Sequence, residues 1–147
     1  MINEHAYAEL VKTTLMKIDQ DLPQDNILNM MNLQYADSSL EDQSITLLVQ
    51  VASWQMNPNG VLHGGIMATA FDSAFGLLIR SLSIDSIVST ITLSVSYLRA
   101  VPNNTQLLIK AQVKYLGGTI VHVRGEAFEG TVLVATSDAS FIKKQKR

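Results

Sequence analysis

The sequence predicts an α+β fold, a single domain over residues 1–147, and three observations carry that prediction. The segment from Gly64 to Ser81 is apolar on nearly every face, and its one charge between Ile66 and Ile79 is Asp72. Almost everything after it alternates apolar and polar residues with a period of two, as half-buried strands do. Turn signals at Gly117-Gly118 and Glu129-Gly130 join those runs. Consecutive strands with short connections imply an antiparallel meander with one helix inserted before it.

Each element follows from its own pattern. Glu4 to Gln20 places Ala8, Leu10, Val11, Leu15 and Ile18 near a helical period, which predicts an amphipathic surface helix. Asp21 to Gln24, with Pro23, ends it. Leu28 to Ala52 reads as strand, most clearly where Ile45, Leu47, Val49 and Val51 oppose Ser44, Thr46 and Gln50. Trp54 to Leu62 is a loop built on Asn57, Pro58, Asn59 and Gly60. After the apolar helix, Ile87, Ile91, Leu93, Val95 and Tyr97 share one face, opposite Thr90, Thr92, Ser94 and Ser96. Leu107, Ile109, Ala111, Val113 and Tyr115 form the next inner face; Val121, Val123 and Ala127, then Leu133, Ala135, Ala139 and Phe141, continue the sheet. Lys143, Lys144, Lys146 and Arg147 read as a solvated end.

Composition narrows the function classes. Hydrophobic residues make up 47% and charged residues 16%, which supports a packed core and not disorder. A net charge of -2 supplies no field to attract nucleic acid or an anionic membrane. Without cysteine there is no disulfide, thiolate zinc site or cysteine nucleophile, and a cytoplasmic setting is the expectation. The first twelve residues lack a signal-peptide layout, and the longest apolar run, Ile66 to Leu82, is broken by Asp72 and Arg80. Three histidines, His5, His63 and His122, show no metal-ligand spacing, so no metal and no cofactor is expected. The motifs of serine hydrolases, dinucleotide-binding folds and P-loops are missing.

The apolar helix carries the chemistry. Gly65, Ala68, Thr69, Asp72 and Gly76 share the face that bears the acid. These small residues allow a second backbone to approach or leave room for a ligand. A carboxylate there costs free energy unless it is paired or hydrogen-bonded. Asp72 is therefore either a structural acid satisfied by hydroxyls or amides, or a catalytic one. Gly64-Gly65 at the helix start leaves amide N–H groups bare, positioned to polarise a carbonyl, or else permits tight packing. His63, just before them, suits a base, a ligand or an orienting residue.

The run Asn57-Pro58-Asn59-Gly60-Val61-Leu62-His63-Gly64-Gly65, followed by Asp72, resembles the signature of hotdog-fold thioesterases, in particular the phenylacetate-degradation thioesterase-like group. Ser89-Thr90, Tyr97-Leu98-Arg99 and Gly117-Gly118 extend the resemblance over roughly Gln43 to Phe141. One departure is Ala100, where the group often has proline. The resemblance implies a hotdog fold, an antiparallel sheet wrapped around a long central helix, in at least a dimer that hydrolyses acyl-CoA. It assigns the Gly64 amide to the thioester carbonyl, Asp72 to the base or nucleophile, and Asn57 to positioning water or substrate. Thr90 would orient the water. Tyr115, Gly117, Gly118 and Thr119 would lie along the CoA arm. Homodimer and dimer of dimers both fit, as do two alternatives: a hydroxyacyl-thioester dehydratase using His63 as base, and a non-catalytic acyl-CoA-binding protein.

Helix geometry adds an expectation of its own. Eight residues separate Gly64 from Asp72, about 12 Å along a helix axis. One carbonyl cannot meet both within about 3.5 Å on the same helix. Two copies sharing each site would resolve this.

Overall fold

The computed structural model describes residues 1–147. Its helices are α1 (Glu4–Asp21), α2 (Ile27–Met31) and α3 (Gly64–Leu82). Its strands are β1 (Gln34–Ser39), β2 (Ser44–Gln50), β3 (Ser86–Tyr97), β4 (Gln106–Leu116), β5 (Ile120–Glu129) and β6 (Val132–Gln145). All strand pairs are antiparallel in one sheet of order β1-β2-β4-β5-β6-β3, packed on the long central helix α3 in the hotdog arrangement.

The core lies between α3 and the inner sheet face. Met67, Ala70, Phe71, Ala74, Phe75, Leu77, Leu78 and Ile79 of α3 are buried, as are Ile45, Leu47, Leu107, Ile109, Val121, Ala135 and Phe141 on the strands. Each large side chain removed from water contributes about 1.5 to 3 kcal/mol before entropy is counted. Gly125 sets the closest approach: a Cβ there would stand 2.7 Å from the Phe71 ring. α3 is long and apolar enough to cross a membrane by length and composition, and half of it is buried inside this fold.

Burial is not complete around α3. Gly65, Ala68, Thr69, Asp72, Ser73 and Gly76 remain half-buried or exposed, a stripe that the chain covers only in part. The small-residue face seen in the sequence is thus the face left open.

The structure corrects the sequence reading in several places. Residues 27–31 are helical, not strand, because the Asn26 side chain accepts from the Leu28 N–H at 3.0 Å and caps a single turn that Asn32 ends at φ 48°. β4, β5 and β6 form the expected meander, but β3 joins it beside β6, at the far edge from β1. Lys143 and Lys144 are no loose tail; they continue β6 and pair with Val88 and Ile87.

The largest correction concerns β3. A bulge between Thr90 and Thr92 inserts Ile91 and reverses the inside–outside phase. Before it, Val88 is buried while Ile87 is exposed; Ile91 itself is exposed. After it, Leu93 and Val95 pack on the core. Ile87 and Ile91 therefore do not share a face with Leu93, and Thr90 is not grouped with Ser94 and Ser96. In an unbroken strand Thr90 and Tyr97 would face opposite ways. Here both face α3. A second bulge, between Val113 and Tyr115, turns Tyr115 outward, where it is 59% exposed.

Candidate active site

The first residue of α3, Gly64, sits in a closely tied backbone. His63 is the N-cap, and its Nδ1 accepts the Gly65 N–H at 2.9 Å. The His63 carbonyl accepts from Ile66 and Met67 at 3.0 and 3.1 Å, and its own N–H donates to the Gln55 carbonyl at 2.8 Å. Gln55 is buried, and its side-chain oxygen accepts the Ala52 N–H. From β3, the Tyr97 hydroxyl donates to the Gly64 carbonyl at 2.5 Å.

The Gly64 N–H is left without a protein acceptor. It belongs to the same peptide unit as the His63 carbonyl, which already accepts two hydrogen bonds. Those two bonds polarise the unit and strengthen its free N–H as a donor. The positive end of a 19-residue helix adds to the same effect. The group opens onto a cleft of about 360 Å³ lined by Asn57, Leu62, Met67, Tyr97 and Leu98. An incoming anion or developing oxyanion fits this donor.

His63 and Asn57 are partly committed elsewhere. With Nδ1 accepting from Gly65, the His63 proton lies on Nε2, which leaves the ring a donor there and no acceptor. The Asn57 side-chain oxygen accepts from the amides of Asn59 at 2.9 Å and Val61 at 3.3 Å, holding the loop. Its NH₂ group is the part left for a ligand or water.

Asp72 stands two turns down the same helix, in a different environment. The Thr90 hydroxyl donates to Asp72 Oδ1 at 2.6 Å. Oδ2 has no protein partner. Ser73, Gly76, Leu77, Thr90 and Phe141 line the adjoining cleft of about 150 Å³. This cleft and the one at Gly64 have no residue in common. Within one chain the carboxylate and the free amide remain about 12 Å apart along the helix.

The β4–β5 hairpin lies at the Asp72 end of the sheet. Thr90 pairs with Phe141, and Phe141 pairs with Val121, so the hairpin is two strand spacings from Thr90, about 10 Å. Gly117 is required there, since a Cβ would fall 2.6 Å from the Ile120 carbonyl. Tyr115 packs on His122 with ring centroids 5.9 Å apart. Gly118 and Thr119 complete the exposed turn. No cluster of three or more metal-binding side chains is present.

Sequence reasoning missed Tyr97 as a site residue. Its place at the end of an alternating strand was visible, but the bulge that aims it at Gly64 was not.

Comparison with known proteins identifies the family and the fold. Residues 59–136 match the thioesterase superfamily. A candidate esterase from Halobacterium salinarum is 44% identical over 64 residues, 42% of this chain and 41% of that protein, so the match spans about two fifths of the relative. Among solved structures, a phenylacetic acid degradation-related protein from Ralstonia eutropha JMP134, a candidate thioesterase, superposes with TM-score 0.77 at 22% identity over 88% of this chain and 98% of its own. The E. coli PaaI protein of the phenylacetic acid degradation operon gives TM-score 0.80 at 14% identity over 94% and 96%. A Streptococcus mutans UA159 protein bound to acetyl-CoA gives 0.70 at 23% identity over 79% and 91%. These likenesses establish the fold.

Proposed function

The chain belongs to the thioesterase superfamily, and from that premise we propose that it hydrolyses acyl-CoA thioesters to free acid and CoA at sites shared between two copies. The observation that carries this reading is the pair of half-sites on one helix: a free, polarised amide at Gly64 and a carboxylate with one free oxygen at Asp72. Neither suffices alone, and the helix keeps them apart.

Strand β3 supplies the means of joining them. It is a twelve-residue edge strand with no charge and no proline, and β6 covers only one side. The opposite edge, β1, is short, carries Asp37 and is broken by a bulge. Edges are normally protected in those ways, so an unprotected one reads as an interface. Pairing β3 with its copy about a twofold axis sets the two α3 stripes side by side and antiparallel. Gly64 of one subunit then faces Asp72 of the other.

The reaction follows from these groups. The thioester carbonyl oxygen accepts the Gly64 N–H, and Asp72 Oδ2 takes a proton from water as the water oxygen adds to the carbonyl carbon. The negative charge that forms on the carbonyl oxygen stays on the Gly64 amide. When the intermediate collapses, the C–S bond breaks and the CoA thiolate takes the proton back from Asp72. Thr90 holds Oδ1, which leaves Oδ2 for the water and favours the base role over direct attack. The CoA arm runs along Tyr115, Gly117, Gly118 and Thr119; the acetyl-CoA bound by the S. mutans protein of the same fold supports a CoA ligand. The dehydratase alternative needs a free lone pair on His63, and the Gly65 amide occupies Nδ1.

Thiol release from a panel of acyl-CoAs tests this function. Asp72→Asn lowers the rate by about 10² to 10⁴-fold. Mixing Asp72→Asn chains with chains damaged at Gly64 restores roughly one working site per mixed dimer. No recovery in the mixture, or water elimination with no thiol released, would overturn it.

A further inference from the structure

The cleft at Asp72 does not end there. It shares Ile18, Leu28 and Arg80 with a second cleft of about 390 Å³ lying under α1. From Asp72 the path passes Gly76, where a Cβ would meet nothing within 4 Å, and continues between Leu77 and Leu28. Its far part is walled by Leu10, Leu22, Ile84 and Ile87. The far end is basic: Lys17, Arg80 and Lys146 line it against the single acid Asp21. None of these cations is in an ion pair, and the Arg80 guanidinium makes no hydrogen bond to the protein.

We propose that the acyl group accepted at this site is an apolar stem that ends in a carboxylate, laid along α3 from Asp72 past Gly76 to Arg80. The inference rests on the thioesterase reading above and adds the substrate class. Asp72, Gly76 and Arg80 follow one another at four-residue spacing, so they share a helix face, and the span from acid to arginine is about 12 Å. The stem buries its methylenes on the leucine and isoleucine walls. A methyl terminus would end among solvated cations and gain nothing from them. A carboxylate terminus gains charge-assisted hydrogen bonds from Arg80, whose fork suits it. The opposite charges at the two ends of the passage also fix its direction, since the same carboxylate is repelled by Asp72.

Arg80 lies in the last turn of α3 and favours the helix dipole, a role that would alter all substrates alike. The ratio of two substrates separates the roles. Thiol release is compared for suberoyl-CoA and octanoyl-CoA, which differ only in the terminal carboxylate. The expected kcat/KM ratio favours suberoyl-CoA by about tenfold, the scale of one hydrogen bond to a charged group. In Arg80→Gln the ratio falls to about one, and in Arg80→Glu it inverts, with octanoyl-CoA turnover kept. A wild-type ratio at or below one, or equal loss on both substrates in Arg80→Gln, overturns the proposal while Asp72-dependent octanoyl-CoA hydrolysis leaves the thioesterase reading standing. If neither substrate releases thiol, both fall together.

Discussion

The two working ends of α3 are built on opposite plans. At Gly64 the reactive group is a backbone N–H, and five hydrogen bonds among His63, Gly65, Ile66, Met67, Gln55 and Tyr97 fix the peptides around it. At Asp72 the reactive group is a side chain held by Thr90 alone. A backbone donor has no freedom of its own, so its aim has to be built into the scaffold. A carboxylate that must accept and return a proton needs one oxygen anchored and the other open. Redundancy belongs to the first end and economy to the second.

The difference is broken most severely by removing the amide itself. Gly64 is the first residue of α3, where proline is tolerated because no helical hydrogen bond is lost. His63, at φ -62° and ψ 132°, already has the extended backbone that a following proline requires. Gly64→Pro should therefore fold, with the Tyr97 ring shifting by a few tenths of an ångström from its 3.2 Å contact. The expected loss in kcat is about 10² to 10³-fold, that of one oxyanion donor. Circular dichroism and steady-state thiol release check both halves of the prediction. A folded variant with full kcat would exclude the Gly64 amide from the chemistry.

Smaller changes sharpen the contrast. Thr90→Val keeps the shape of the side chain and removes the only tie on Asp72. Its kcat should fall about tenfold with KM nearly unchanged. Tyr97→Phe removes one bond of several at the other end, and kcat should fall only about threefold, at the low end of what one hydrogen bond contributes. Equal losses in the two variants would show that redundancy at Gly64 is without effect.

The sequence displayed some of this plan plainly. Asp72 stands out because a single acid within an apolar helix needs a reason, and Gly64-Gly65 stands out because bare amides at a helix start are chemically useful. The β4, β5 and β6 strands are legible from their period of two. What stayed hidden is non-local or one residue wide. The placing of β3 beside β6 depends on contacts between distant segments. The bulge at Ile91 adds one residue to a run of Ser, Thr and Ile with no glycine or proline to mark it. That one residue decides whether Thr90 and Tyr97 meet α3, so the partners of both reactive groups could not be read from periodicity. The short helix α2 carried its signal in Asn26, which the apolar Ile27 to Met31 run obscured.

A change at a residue that lines neither cleft supplies the control that the comparison needs. Tyr7 of α1 is fully buried, and its hydroxyl has no partner. Burial, and then the charge of Glu4, pushes its phenol above the usual range. Tyr7→Phe removes an unsatisfied polar atom and should stabilise the fold by about 1 kcal/mol, seen as a rise in Tm of about 3 °C. The pH dependence has a definite sign. Above the ordinary phenol value of about 10 the unfolded chain releases this proton while the folded chain retains it. Stability is therefore complete below that pH and falls as pH rises toward the raised value. In Tyr7→Phe this part of the alkaline loss disappears, while kcat at neutral pH is unchanged. If Tyr7→Phe lowered kcat as Thr90→Val does, the losses at the two ends of α3 would reflect general loosening of the fold, and the contrast between scaffold and carboxylate would lose its meaning.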